Sequence, residues 1–220
     1  MELDKQLLTI RLLLTKGLPM TLLLAVLALV TAFVLGVLLG VIRSYKIPVV
    51  RVILDAWLAI IRGVPFLLLL LLIFFCTPIK DKYWASLVAL TIYNSTYICE
   101  IIYGGIVGLG TGQIKAAYSM GMGVIQTIWY VILPQVLNLT MPALIGQLVI
   151  LIKGTAACSA IGYAEVTRTG YVAMQEFGNP HIIFIYILLL YFVICHFLQV
   201  LHGDLIVHEN LHDFSLRRIF

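Results

Sequence analysis

Charge is what this sequence has least of. Only 11% of its 220 residues are Asp, Glu, Lys or Arg, against about 25% in a soluble domain. The hydrophobic share is 62% and the mean hydropathy is +1.10. That balance excludes a disordered chain, a collagen-like chain and an ordinary cytosolic domain. It also excludes a large soluble domain beside one anchor, because apolar residues fill most of the length. The net charge is only +4 with no basic cluster, so nothing points to a nucleic acid partner. Cysteine is sparse as well. Cys76, Cys99, Cys158 and Cys195 sit in apolar stretches without a CxxC pair, which excludes a disulfide framework and a zinc site. The histidines lack metal-ligand spacing; His208 and His212 stand four apart in a polar tail with no third ligand. A phosphate-binding G-x-x-x-x-G-K-[ST] loop is missing too. Residues 110–113 (GTGQ) lack the lysine, and 153–155 (KGT) reverse its order. The chain is expected to bind no ATP and no cofactor.

What remains is a series of long apolar runs. A helix crossing a bilayer needs about 20 mostly apolar residues. Residues 17–42 carry no Asp, Glu, Lys, Arg or His; 57–75 carry only Arg62; 84–109 carry only Glu100. Residues 116–152 are uncharged but contain Pro134 and Pro142, and 177–203 hold only three histidines. The reading is an all-α integral membrane protein forming one domain. Its five spans lie near 17–42, 54–75, 84–109, 137–158 and 181–202. Residues 1–16 place Leu3, Leu7, Ile10 and Leu14 on one helical face and are expected as an interfacial helix. The first run is too long for a signal-peptide core. Lysines and arginines divide evenly between the two sides, so the positive-inside rule does not orient the spans.

The segment 110–135 reads as two short helices, neither able to span. Thr111 is expected to cap the first. Gly121 and Gly123 punctuate the middle, and Pro134 is expected to stop the second. The simplest arrangement is a helical hairpin on the membrane surface. Within the third span, Tyr93, Thr96 or Tyr97, Glu100 and Gly104 recur at three- and four-residue steps and share a face. With Asn94 beside it, that face is too polar for lipid. Charges inside spans are costly and point to function.

The 110–135 segment resembles the EAA loop of binding-protein-dependent ABC importer permeases. Lys115-Ala116-Ala117, Gly121 and Leu133-Pro134 stand at the places of that pattern, and Gly112, Gln113 and Gln135 resemble its polar amino acid branch (histidine, arginine, glutamine and glutamate permeases). Residues 17–22 (GLPMTL) resemble the opening of the family's first span, and Arg62-Gly63-Val64-Pro65 its Arg-Gly-x-Pro. Glu100 with Gly104-Gly105-Ile106, Lys153 with Thr155, and residues 159–162 (SAIG) with Glu165 match further segments in order. Four positions depart from the pattern. Lys115 replaces the glutamate of the loop, Tyr103 an arginine, and Gly154 an acidic residue; Ser95-Thr96-Tyr97 replaces a small-small-Tyr run.

The resemblance implies the type I ABC importer permease fold, in a bacterial cytoplasmic (inner) membrane, with the N-terminus outside and the C-terminus in the cytoplasm. It implies that the loop couples to a separate ATPase subunit, which holds ATP and Mg, through Gln113, Lys115, Ala116, Ala117, Gly121 and Pro134. A second permease subunit, identical or related, completes the path, and an extracytoplasmic solute-binding protein delivers the amino acid. Asn94, Thr96, Tyr97, Glu100, Lys153 and Glu165 are the candidates for the translocation path. Glu100 serves there as a gate or as a structural ion pair. Lys153 and Glu165 recognise substrate charges, pair with each other, or meet a neighbouring subunit. Arg62 holds the first loop or anchors at the headgroups, with Pro65 kinking the second span.

Overall fold

The computed structural model describes residues 2–45 and 47–216, with side chains for 4–45 and 47–200. Among the described residues every regular element is helical. Helices α1 (Glu2–Leu12) and α2 (Leu18–Ser44) are joined by a π-helical turn over Leu13–Gly17. Then come α3 (Pro48–Gly63), α4 (Phe66–Cys76), α5 (Lys82–Gly108) and α6 (Thr111–Ser119). A second π-helical turn, Ile128–Ile132, joins α7 (Val124–Thr127) to α8 (Leu133–Thr155). A 3-10 turn (Ala156–Ile161), α9 (Val166–Phe177) and α10 (Pro180–Leu216) complete the chain. Asp4–Ser44, Lys82–Gly108, Val124–Ile161 and Pro180–Val200 are each long and apolar enough to cross a membrane, and α3 with α4 makes a fifth span if that bent pair counts as one.

Three local expectations change. The second span is not one helix over 54–75, because α3 and α4 meet at 100°. Proline disfavours helical backbone in the residue before it, and Val64 is extended at φ −100°, ψ 132°. The segment expected as an interfacial helix leading into the first span is not set off from it, since α1 runs on through its π-turn as part of a 41-residue helix, Asp4–Ser44. Nor does Pro134 stop a helix. It falls in the first turn of α8, directly after the π-turn, and the helix continues from Val124 to Ile161. A π-turn frees backbone groups that a proline would otherwise clash with or leave unpaired. The tail expected over 203–220 continues α10 as helix to Leu216. Its side chains, including His208 and His212, lie outside the described residues.

The packing centres on α2 and α5, which run parallel. Thr31 meets Thr91, Gly36 meets Ser95 and Ile98, and Gly40 meets Cys99 and Ile102. Lipid chains are as apolar as leucine, so burying leucine does not hold membrane helices together. Close van der Waals contact and hydrogen bonds do. The α2 face turned inward is accordingly small: Ala25, Ala28, Ala32, Gly36 and Gly40 are all buried. A Cβ on Gly36 would stand 2.6 Å from Ile98, and one on Gly40 3.0 Å from the Cys99 carbonyl oxygen. The opposite face carries Leu23, Val26, Val30, Val34 and Leu38, all exposed, as a lipid-facing surface requires. On α5, Gly105 gives the same closeness to Val136 and Thr140 of α8.

Gly36→Val should therefore force α2 off α5 and lower stability by about 1–3 kcal/mol or more. Gly104, with open space where its Cβ would be, should accept alanine within about 1 kcal/mol. Thermal unfolding of the two purified variants in detergent checks the contrast; equal midpoints would show that the α2–α5 contact is not tight.

Candidate functional site

Over 110–135 the chain forms α6, a reversal, and then α7, which runs on into the spanning helix Val124–Ile161. Gly110 (φ 70°), not Thr111, occupies the cap position of α6, and no side chain caps it. Gly121 (φ 78°) makes the reversal after α6, in the left-handed region that other residues avoid. The Gln126 side chain accepts from the Gly123 backbone N–H at 3.0 Å and starts α7. Gln113, Lys115, Ala116 and Gly121 are exposed, whereas Ala117 is buried. Around them lies apolar surface that none of the described residues covers: Met120 is 84% exposed, Ile125 72% and Tyr130 76%. On its inner side Ile114 joins the cluster of Ile102, Ile106, Ile132 and Val136, which ties the hairpin to α5 and α8.

Glu100 is the hub of an ion cluster. One of its oxygens accepts from Arg43 Nη1 at 2.8 Å and stands 3.2 Å from Arg62 Nη1. Arg43 Nε also donates to Asp55 at 2.7 Å, and Arg51 lies 3.6 Å from the other Asp55 oxygen. The Arg43 guanidinium sits over the Tyr103 ring, 4.3 Å from its centroid. Glu100 thus sits in ion pairs that link α2, α3 and α5. Arg62 is part of that cluster. Arg43 and Asp55 were not among the sequence candidates. They look like ordinary loop-flanking charges until α3 folds back across α2 and α5.

The remaining candidates separate into two groups. Asn94 and Thr96 are buried and internally bonded. Asn94 accepts from Gln147 Nε2 of α8 at 2.8 Å and donates to the Leu90 carbonyl, and Thr96 donates to the Tyr93 carbonyl. Gln147, also missed from sequence, is the partner that makes Asn94 a helix–helix bond. Tyr97 is half-buried and donates to the Tyr93 hydroxyl at 3.2 Å. With Glu100 and Gly104, these tyrosines form the more open face of α5.

Lys153 and Glu165 do not pair. Glu165 is fully buried, at 0% exposure. Its carboxylate caps α9, accepting from the Thr167 and Arg168 backbone N–H groups at 2.7 Å each and from the Tyr191 hydroxyl of α10 at 2.8 Å. Burial pushes this carboxyl above its ordinary range, against the three donors that pull it down. The same corner is tied to α2, since Val166 N–H donates to Thr21 and Tyr163 to the Met20 carbonyl. Lys153, in the last turn of α8, is exposed and makes no ion pair among the described residues.

Helices long and apolar enough to cross a membrane, with a hairpin and a half-buried ion cluster between them, define a multi-pass membrane protein. Residues 32–205 match the family described as the binding-protein-dependent transport system inner membrane component, and the chain belongs to that family. It is 29% identical over 201 residues to the "Probable glutamine ABC transporter permease protein GlnP" of Bacillus subtilis, covering 88% of this chain and 92% of that one. It is 34% identical over 164 residues to the "Glutamine transport system permease protein GlnP" of Escherichia coli, covering 72% and 75%. Among solved structures it is similar to the "Crystal structure of an amino acid ABC transporter with histidines", with a TM-score of 0.78 at 31% identity over 89% of this chain and 92% of that one. The all-α importer-permease fold expected from the sequence is borne out.

Glu165→Ala should remove the α9 cap, worth about 0.5–2 kcal/mol, and leave the Tyr191 hydroxyl without its acceptor. The variant should unfold at lower temperature while its affinity for solute, read by binding to the folded fraction, stays unchanged. A weakened solute affinity at unchanged stability would contradict the capping role.

Proposed function

We propose that this chain is the membrane permease of an ATP-driven importer for polar amino acids, working with a second permease subunit, separate ATPase subunits and an extracytoplasmic binding protein. The observation that carries the reading is the hairpin. It presents Gln113, Lys115, Ala116 and an uncovered apolar surface from Met120 to Tyr130, while Ile114 and Ala117 pack inward. A surface of this shape fits the groove of a partner protein, and the absence of a phosphate-binding loop leaves ATP and Mg to that partner. Lys115 reverses the charge of the family glutamate and calls for an acidic patch on the ATPase. With the hairpin end in the cytoplasm of a bacterial cell, the N-terminus lies outside and the C-terminus inside. The glutamine specificity in the relatives' names and the "amino acid" of the structural relative support the substrate class.

For the path itself, Tyr97, Glu100 and Lys153 remain reachable. Asn94, Thr96 and Glu165 are enclosed by their own chain and act by shaping the helices that line it. Lys153 is an exposed cation in the last turn of α8 without an ion-pair partner among the described residues. Such a charge is costly unless something meets it, and a substrate carboxylate would.

Two substitutions test the reading in proteoliposomes holding the whole transporter. Gly121→Val, β-branched where φ is 78°, should cut uptake of labelled glutamine, glutamate, arginine or histidine at least tenfold while the protein still inserts. Lys153→Met should lower uptake at subsaturating substrate to a similar degree without changing insertion. Wild-type uptake by Gly121→Val would refute coupling through the hairpin; wild-type uptake by Lys153→Met would remove Lys153 from the path.

A further inference from the structure

We infer that Arg43, Asp55, Arg62 and Glu100 form a latch that fastens α3, as a hinged arm, to the first and third spans, and that the arm swings about residues 63–65 when the transporter changes state. The movement rests on the transport reading above, but the latch itself is a property of this chain alone.

The arm is built to move as a unit. Its α-helical hydrogen bonds end before Val64, and α4 begins its own ladder with Leu68 and Leu69 donating to the Pro65 carbonyl. Val64 (φ −100°, ψ 132°) and Pro65 (φ −56°, ψ 136°) lie outside both helices, and the proline has no N–H to give. Gly63 has open space on the side where a Cβ would lie. Rotation about Val64 thus breaks no helical hydrogen bond and meets no packed side chain at Gly63. Hinges are commonly such short stretches at element ends.

The arm is also lightly held by packing. Only Leu58 and Ile61 of α3 are buried, whereas Val49, Val52, Ile53 and Ile60 are each more than 60% exposed. What fixes it is charge. Asp55 reaches Arg43 of α2, and Arg62 reaches Glu100 of α5. Arg43 also reaches Glu100 and closes the circuit between the two spans. Half-buried ion pairs contribute little net stability but set geometry, and loss of one partner strands the other. A fastening of this kind can open and re-form in one register, which a seam of packed side chains does less readily. Glu100, in ion pairs with two arginines on different helices, is the residue on which closure turns.

The experiment is a distance measurement on the assembled transporter in lipid nanodiscs. Spin labels go on cysteines at Val49 and Val107, both exposed, in a Cys76→Ser background. The parent should give one narrow distance population at rest. Glu100→Gln should add a second population, and trapping the ATPase with ATP and vanadate should raise the same population in the parent. Asp55→Asn, which cuts one link and spares Glu100, should give a smaller shift and serves also if Glu100→Gln does not fold. An unchanged distribution in the folded variants overturns the latch, whatever the uptake. A distribution that shifts with Glu100→Gln in a complex that moves no amino acid supports the latch and refutes the transport reading instead.

Discussion

Backbone closeness between α2 and α5 is the constraint from which the helical arrangement follows. In water, two helices gain by hiding leucines from solvent; in lipid that gain is absent. The chain answers with a stripe of Ala and Gly at every third or fourth position of α2, ending at Gly36 and Gly40. Because the backbones meet there, short polar side chains can bond across the same interface. Thr31 and Thr91 lie 2.6 Å apart, and the Asn94–Gln147 bond carries the same logic from α5 to α8. Once α5 is fixed against both neighbours, Glu100 is fixed in depth, and with it the place where α3 can be held.

Prolines show how a local rule is obeyed without the consequence it usually has. Pro19 and Pro134 each fall in the first turn of a long α-helix, and each follows a π-helical turn, Leu13–Gly17 in one case and Ile128–Ile132 in the other. In both, the wider turn absorbs the missing donor and the ring's bulk, and the helix continues. Pro65 has no such turn before it. Val64 leaves the helix instead, and the axis changes by 100°. Continuity does not always need that turn: Pro142 lies inside α8 with none before it, and the helix runs through.

This contrast explains how much of the fold could be read from the sequence. Long uncharged runs mark the spans because composition alone decides whether a segment tolerates lipid. Glycine marks the hairpin because Gly110 and Gly121 need positive φ, a demand few other residues meet. Helix continuity through Pro134 was not legible, since a π-turn has no residue signature of its own. The site was legible in kind and not in pairing. Glu100 stands out as the one acid in its span, but its partners Arg43 and Asp55 come from the end of one helix and the middle of another. Only the α3–α4 bend brings them together.

The two glutamates singled out from the sequence show why a charge in an apolar chain does not by itself name a role. Glu165 and Glu100 would look alike on any hydropathy plot. Glu165 is enclosed, and its charge is answered by fixed donors: two backbone N–H groups at a helix N-terminus, where the helix dipole also favours an anion, and the hydroxyl of Tyr191. None of these can leave without unwinding α9 or displacing α10, so Glu165 belongs to the frame. Glu100 is answered by arginines on long flexible side chains, one at the end of α2 and the other on a helix held by few apolar contacts. Those partners can leave and return while every helix stays intact. The chemistry of the acid is the same in both places; the stiffness of what neutralises it decides whether the residue holds the structure or permits it to move.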